Sequence, residues 1–151
     1  MSISVRLVMP EDREQLRGLA RAAAAESEPD LGFDDATFGE SFGMAVTGSL
    51  TLYVAEHKGR LLGFALCDLD GWYFTAGFSA VLHVLYVAPD YRGTRAPALL
   101  MQQFIDWGRD TVRAKRLYLG INTGFRPGYT ARFFEKFGAR QVGPLMVIGH
   151  G

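Results

Sequence analysis

The chain has 151 residues, with 48% hydrophobic and 21% charged residues, a balance that excludes a disordered chain and suits one domain spanning residues 1–151. Sixteen basic and 16 acidic residues give a formal net charge of zero, which argues against a general polyanion binder. That zero is a cancellation, because residues 1–50 carry nine acids and four bases while residues 101–151 carry three acids and eight bases. Cys67 is the only cysteine, which excludes an intramolecular disulfide and a paired-cysteine zinc or redox site. Charges arrive early in VRLVMPEDREQLRGL, leaving no signal-peptide core, so the cytoplasm is the expected compartment. The weakly polar stretch Gly71 to Pro89 holds Trp72, Thr75, Ser79 and His83 and is broken by Gly77, so it fits strands and no membrane span is expected.

Ser2 to Met9 alternates around Ile3, Val5 and Leu7 and predicts a strand. Pro10 then opens a helix, since its missing N–H has no helical partner there, and Glu11 and Asp12 suit the positive end of the dipole. Leu16, Leu19, Ala20 and Ala23 form its apolar stripe, which ends before Ser27-Glu28-Pro29. A second helix is expected over Asp35 to Val46, capped by Asp34 or Asp35, with Phe38, Phe42 and Met44 as apolar contacts. Leu50 to Glu56 and Arg60 to Leu69 read as strands joined in a hairpin at His57-Lys58-Gly59. Trp72-Tyr73-Phe74 reads either as a strand extension or as a loop. Ala80 to Val87 is a strongly apolar strand that stops at Ala88-Pro89-Asp90. A long helix follows over Arg95 to Ala114, with Leu100, Phe104, Trp107 and Thr111 on one face. Leu117 to Ile121 is a short buried strand, Thr130 to Phe137 a short helix ended by Gly138, and Ala139 to Ile148 a last strand. The order β-α-α-β-β-β-α-β-α-β predicts an α/β to α+β fold, a mixed sheet with helices on its faces.

The most informative segment is Leu82 to Leu100, LHVLYVAPDYRGTRAPALL. A buried strand turns through Tyr91-Arg92-Gly93 directly into a long helix. Such a unit aims backbone N–H groups and the positive helix end at one spot, and Arg92 and Arg95 add two cations, so its natural guest is a phosphate or pyrophosphate. Neither GxxxxGK[ST] nor GxGxxG is present. A plain strand-to-helix turn with solvated arginines is the other reading of the same spacing.

The run Val87 to Leu100, VAPDYRGTRAPALL, resembles motif A of the GNAT superfamily, the acetyl-CoA-dependent N-acetyltransferases, and TARFFEKFGA from Thr130 to Ala139 resembles their motif B. Order, length and motif separation extend the resemblance over nearly the whole chain. It implies a mixed, mostly antiparallel sheet with helices on both faces, acetyl-CoA as cosubstrate, and a primary amine of a small molecule or protein as acceptor. It implies pyrophosphate contacts at Arg92, Gly93, Thr94, Arg95, Ala96, Pro97 and Ala98. It also implies that the fourth strand splays from the fifth, freeing N–H groups on Leu85, Tyr86 and Val87 for the pantetheine and thioester. No metal, nucleic acid or membrane is implied. Members that pair through sheet edges make a homodimer the analogous expectation.

The chain departs from the family pattern at two places. Arg95 and Pro97 stand where the second and third motif-A glycines usually are, and Pro97 brings no N–H. Phe134 stands where a tyrosine often protonates the departing thiolate, and a phenyl ring donates no proton; it reads as a core residue or as a wall of the cofactor channel. Tyr129 is the first substitute as acid, or else a packing tyrosine. His83, two residues before Leu85, reads as a general base or as a histidine satisfied on a sheet face. Asn122 reads as a partner of the pantetheine amides or as a turn cap, and Gly93 either admits a phosphate closely or supplies a positive φ. On the acceptor side, Glu26, Glu28, Asp30, Asp34 and Asp35, with Trp72, Tyr73 and Phe74, read as an amine-attracting wall or as a solvated acidic loop. A catalytically impaired module that binds a CoA thioester or a partner without turnover is the alternative function.

Overall fold

The computed structural model describes residues 1–120, 127–143, 146, 148 and 149. Among them five strands, β1 (Ser4–Leu7), β2 (Thr51–His57), β3 (Arg60–Asp70), β4 (Ser79–Val87) and β5 (Arg116–Leu119), form one sheet in the order β1-β2-β3-β4-β5. Neighbours from β1 to β4 are antiparallel, and β5 runs parallel to β4. His57 pairs with Arg60, leaving Lys58 and Gly59 as a two-residue turn with φ of 49° and 80°. Positive φ at both positions gives a turn whose twist matches the strands, and glycine carries the second one without steric cost.

Among the described residues four α-helices pack on this sheet: α1 (Arg13–Ser27), α2 (Asp35–Thr47), α3 (Ala96–Asp106) and α4 (Pro127–Glu135). Asp34 caps α2, its carboxylate accepting from the Thr37 N–H at 2.8 Å and hydroxyl at 2.7 Å. Its helical stripe is Phe38, Phe42 and Ala45, whereas Met44 points outward, because the 3.6-residue period carries position 45 rather than 44 under the Phe38–Phe42 face. On one side of the sheet Leu16 and Ala23 of α1 and Phe38 and Phe42 of α2 cover Leu52, Val54, Phe64 and Tyr86. On the other, Leu100, Met101 and Phe104 of α3 and Phe134 of α4 cover Ala55, Ala65, Cys67 and Ala80. Those four sheet residues are small, so α3 can lie close to the strands at interior packing density.

Beyond Asp106 the helix continues as a π turn, Trp107–Thr111, in which the Val112 N–H reaches the Trp107 carbonyl at 3.0 Å. The wider turn breaks the helical period, so Trp107 stays buried while Thr111, expected on the same face, is exposed. Within Ala139 to Ile148, expected as a strand, the described residues form none, and positions 144, 145 and 147 lie outside the description. Val142, Met146 and Ile148 are exposed there, so the described residues of that stretch show no buried apolar alternation.

Asp12 is the buried charged residue of the described core, and it is fully partnered. Arg6 of β1 donates to both its oxygens at 2.8 and 2.9 Å, and the Met9 N–H adds a bond at 2.8 Å. The Arg6 hydrogen bond holds the Asp12 carboxyl below the usual carboxylate range, and Glu56 of β2 completes the network. Among the described residues no helix is long and apolar enough to cross a membrane.

Candidate active site

The chemistry gathers on β4, whose two halves are built differently. Ser79 to Leu82 pair with Arg116 to Leu119 of β5, and the pairing ends there. From His83 to Val87 that side of β4 has no strand partner among the described residues. On the other side β3 pairs along the whole length with one irregularity: Leu66 faces Val84 and Cys67 faces Leu82, which leaves His83 as an extra, unpaired residue. This is a β-bulge, and it reverses the alternation. Ala80 and Leu82 face α3 before it, Leu85 and Val87 after it.

The register settles where the open backbone groups point. The Ala88 N–H bonds the Leu62 carbonyl at 2.9 Å, so Phe64–Tyr86 and Leu66–Val84 are the hydrogen-bonded pairs of the antiparallel ladder. Leu85 and Val87 therefore turn their N–H groups to the open side. Tyr86, expected with them, turns its backbone toward β3 because it occupies the hydrogen-bonded position. Gly63 lets the strands close up here: a Cβ at that position would collide with the Tyr86 carbonyl oxygen and come 2.9 Å from the Val87 Cα.

After β4 a 3₁₀ turn, Pro89–Tyr91, leads into the motif-A segment. Arg92 folds back against the protein. Its Nε donates to the Val87 carbonyl at 2.8 Å, its Nη2 to Glu26 at 2.7 Å, and its guanidinium lies 5.4 Å from the Tyr86 ring centre. Arg95 stands exposed at the N-cap of α3, with no ion-pair partner among the described residues. The two cations thus differ: Arg92 braces the turn against α1, and Arg95 faces outward. Gly93 has no positive φ, and a Cβ there would meet nothing within 4 Å, so of its two readings the open approach remains. The Thr94 hydroxyl donates to the Tyr91 carbonyl at 2.6 Å and accepts the Ala96 N–H at 3.2 Å. Ala96 is packed in the core, Pro97 brings no N–H, and Ala98 is exposed in the first turn. The N–H groups of Gly93 and Arg95 are left without a protein acceptor among the described residues. An exposed cation, two free N–H groups and a helix N-terminus together suit a bound phosphate.

His83 is half exposed, and its Nε2 lies 3.6 Å from an Asp68 carboxylate oxygen. Phe134 is buried with Phe133 beside it at 6.0 Å and packs with α3; its ring also walls a cleft of about 1000 Å³ between α3, β5 and α4. The backbone of Tyr129 belongs to α4, its side chain lies outside the description, and Asn122 lies outside the described residues. The acidic run is mostly consumed by the fold: Glu26 holds Arg92, Asp34 caps α2, and Asp35 pairs with Arg17 at 2.6 Å. Trp72, Tyr73 and Phe74 form an exposed loop, with Trp72 and Phe74 edge to face at 5.1 Å. It precedes β4, whose first residue, Ser79, is itself roughly 26 Å along the strand from Val87 at about 3.3 Å per residue. Among the described residues no group of three His, Cys, Asp or Glu side chains could hold a metal.

The family model described as the acetyltransferase (GNAT) family matches residues 13–139. The chain belongs to the GNAT family. Its fold is shared with AAC(6′)-Iy in complex with a bisubstrate analog, CoA-S-monomethyl-acetylneamine, at 15% identity and a TM-score of 0.80 over 100% of this chain and 99% of that one. A ribosomal-protein-alanine N-acetyltransferase from Brucella melitensis biovar Abortus 2308 aligns at 17% identity and a TM-score of 0.76, covering 99% of this chain and 100% of that one. Glucosamine-6-phosphate N-acetyltransferase from Arabidopsis thaliana aligns at 12% identity and a TM-score of 0.77, with both chains covered in full. No curated protein matches the sequence at a significant level.

In this GNAT chain one functional candidate, Asp68, escapes sequence reasoning, and Glu26, read there as part of an acidic wall, takes another role. Glu26 meets Arg92 from 66 positions away, and Asp68 meets His83 only through the pairing of β3 with β4. An acid in the otherwise apolar run Leu61 to Leu69 is the signal at Asp68, but without the register it names no partner.

Proposed function

We propose that this GNAT acetyltransferase moves an acetyl group from acetyl-CoA to a primary amine of a small molecule or protein. The observation that carries this reading is that, among the described residues, no second strand pairs with β4 from His83 to Val87, and that the turn it leads to has N–H groups without a protein acceptor and an Arg95 without an ion-pair partner. The Leu85 and Val87 N–H groups would hold the pantetheine and thioester, while Gly93 and Arg95 would hold the pyrophosphate. Acetyl-CoA supplies an activated acyl group on sulfur. An alkylamine, with a pKa near ~10, is mostly protonated at neutral pH, so a base that takes its proton raises the reactive fraction. His83 lies about 6–7 Å along the strand from Leu85, close enough to serve that end of the thioester. Positioning does much of the rest, because two reactants held side by side escape the entropy cost of meeting. A single buried thiol, Cys67, fits the reducing cytoplasm.

Calorimetry with acetyl-CoA tests the reading. Binding in the micromolar range that weakens on Arg95→Ala supports it, and no binding at millimolar ligand overturns it. Pro97 without an N–H and Phe134 without a proton to give favour a second reading, a module that binds the thioester without turnover. A free-thiol release assay over a panel of amines separates the two. Turnover that falls with Tyr129→Phe would assign the leaving-group proton to Tyr129.

A further inference from the structure

We propose that Asp68 is a positioning residue that fixes the tautomer of His83, leaving Nδ1 as the atom that takes the acceptor's proton. The inference rests on the acetyl-transfer reading for its purpose, but its geometry stands apart from it. Asp68 lies directly across from Val81 in the β3–β4 ladder, which makes His83, two residues further along β4, its diagonal neighbour. Diagonal Cβ atoms lie roughly 7–8 Å apart, within reach of an Asp and a His that lean toward each other. Here Nε2 and Oδ2 come to 3.6 Å. The other oxygen, Oδ1, accepts the Leu69 N–H at 2.8 Å, and that bond sets the carboxylate plane and aims Oδ2 at the ring. The bulge matters because the extra residue in β4 is His83 itself. Its ring is therefore placed by the irregularity and by Asp68, without a strand residue opposite to steady it.

The chemistry follows from the donor inventory. A neutral imidazole carries one N–H and one lone pair, and an ionised carboxylate only accepts. Asp68 beside Nε2 therefore favours the proton on Nε2 and leaves the lone pair on Nδ1, which has no partner among the described residues. In the reaction the amine nitrogen forms a bond to the acyl carbon, the carbon–sulfur bond breaks, and the amine proton passes to Nδ1. The imidazolium so formed keeps Nε2 at ion-pair distance, 3.6 Å, from the Asp68 carboxylate, and the departing thiolate takes up a proton from Tyr129, His83 or solvent. The logic is that of any acid–base histidine whose second nitrogen is held by a carboxylate.

Two measurements test this, and they fail separately. Ring ¹⁵N NMR of the protein without cosubstrate reads the tautomer with no turnover needed. In the wild type neutral His83 should carry its proton on Nε2, and in Asp68→Ala it should drift toward the mixture of free imidazole. Identical ring shifts in the two proteins would overturn the proposal, whatever the chain does with acetyl-CoA. The second is a double-mutant cycle on turnover. Asp68→Asn should lower kcat roughly tenfold, part of the 10²–10⁴-fold that a general base supplies, with the KM for acetyl-CoA unchanged. Asp68→Glu should restore part of it, and Asp68→Asn should cost nothing further in a His83→Ala background. An equal loss in both backgrounds would mean that Asp68 does not act through His83. Tautomer control without turnover in the wild type would uphold the placement of Asp68 and reject the acetyl-transfer reading.

Discussion

The two halves of β4 share a strand, a neighbour in β3 and an apolar composition, yet one is closed and the other open. From Ser79 to Leu82 the strand lies between β3 and β5, with Ala80 and Leu82 sealed under α3. From His83 to Val87 it pairs with β3 alone among the described residues, none of which forms a strand that takes the backbone donors of its second edge. The change falls at one residue, where the bulge at His83 coincides with the end of β5. An unpaired edge inside a sheet is a liability unless something binds it. Here it leads into a helix N-terminus, so the strand's open edge runs directly into the phosphate-suited turn.

The largest expected effect comes from the residue at that boundary. His83→Ala should leave acetyl-CoA binding intact and reduce turnover by about 100-fold or more, the loss of a general base. A pre-steady-state assay of thiol release checks it. An undiminished rate would make His83 a feature of the strand's irregularity alone.

Closeness of β3 to the open half is the next thing to break. Gly63→Ala pushes a methyl into the Tyr86 carbonyl and the Val87 backbone, neither of which is a flexible side-chain end. Overpacking of this kind costs roughly 1–3 kcal/mol, and the displaced strand is the one that carries the Leu85 and Val87 donors. Chemical denaturation should show the loss, and acetyl-CoA affinity should fall with it. The same substitution at Gly93, where a Cβ meets nothing within 4 Å, should leave the midpoint unchanged and weaken only binding.

The arginines of the turn sharpen the comparison further, because similarity of sequence hides a difference of role. Arg92→Ala removes the bonds to Val87 and Glu26 and should lower stability by ~1–2 kcal/mol. Glu26→Gln should reproduce part of that loss from the other side. Arg95→Ala should leave the thermal midpoint in place and weaken acetyl-CoA about tenfold, or ~1.4 kcal/mol. Equal destabilisation by both would mean that Arg95 is also a brace.

How much of this could be read in the residues depends on how local the cause is. Asp34 as a cap, Lys58-Gly59 as a hairpin turn and the strand-turn-helix at Val87 to Leu100 are set by neighbours within a few positions, and they stand as expected. The bulge is not legible, because LHVLYV, His83 apart, is apolar on both faces of the strand and carries no parity to break. Arg92 reads as a phosphate cation until Glu26 arrives from the far end of α1. The π turn after Asp106 has no sequence signature, so Thr111 was expected on a face from which the widened turn removes it.

The closed half yields the smallest effect and the cleanest probe. Cys67 faces Leu82 across the β3–β4 ladder with no exposed surface, and burial pushes its thiol up to about 12. The folded chain therefore holds this proton more tightly than the unfolded chain, in which a thiol titrates near ~8.5. Stability from this group is fully present below the unfolded pKa and is lost as pH rises from there toward the folded one, at about 1.4 kcal/mol per pH unit at most. Denaturation midpoints at pH 8 and 10 should show that decline, and Cys67→Ala should flatten it. Alkylation at pH 8 should proceed only as fast as the chain unfolds. Rapid labelling of Cys67 would mean that the closed half opens on its own, and the contrast along β4 would then be one of degree.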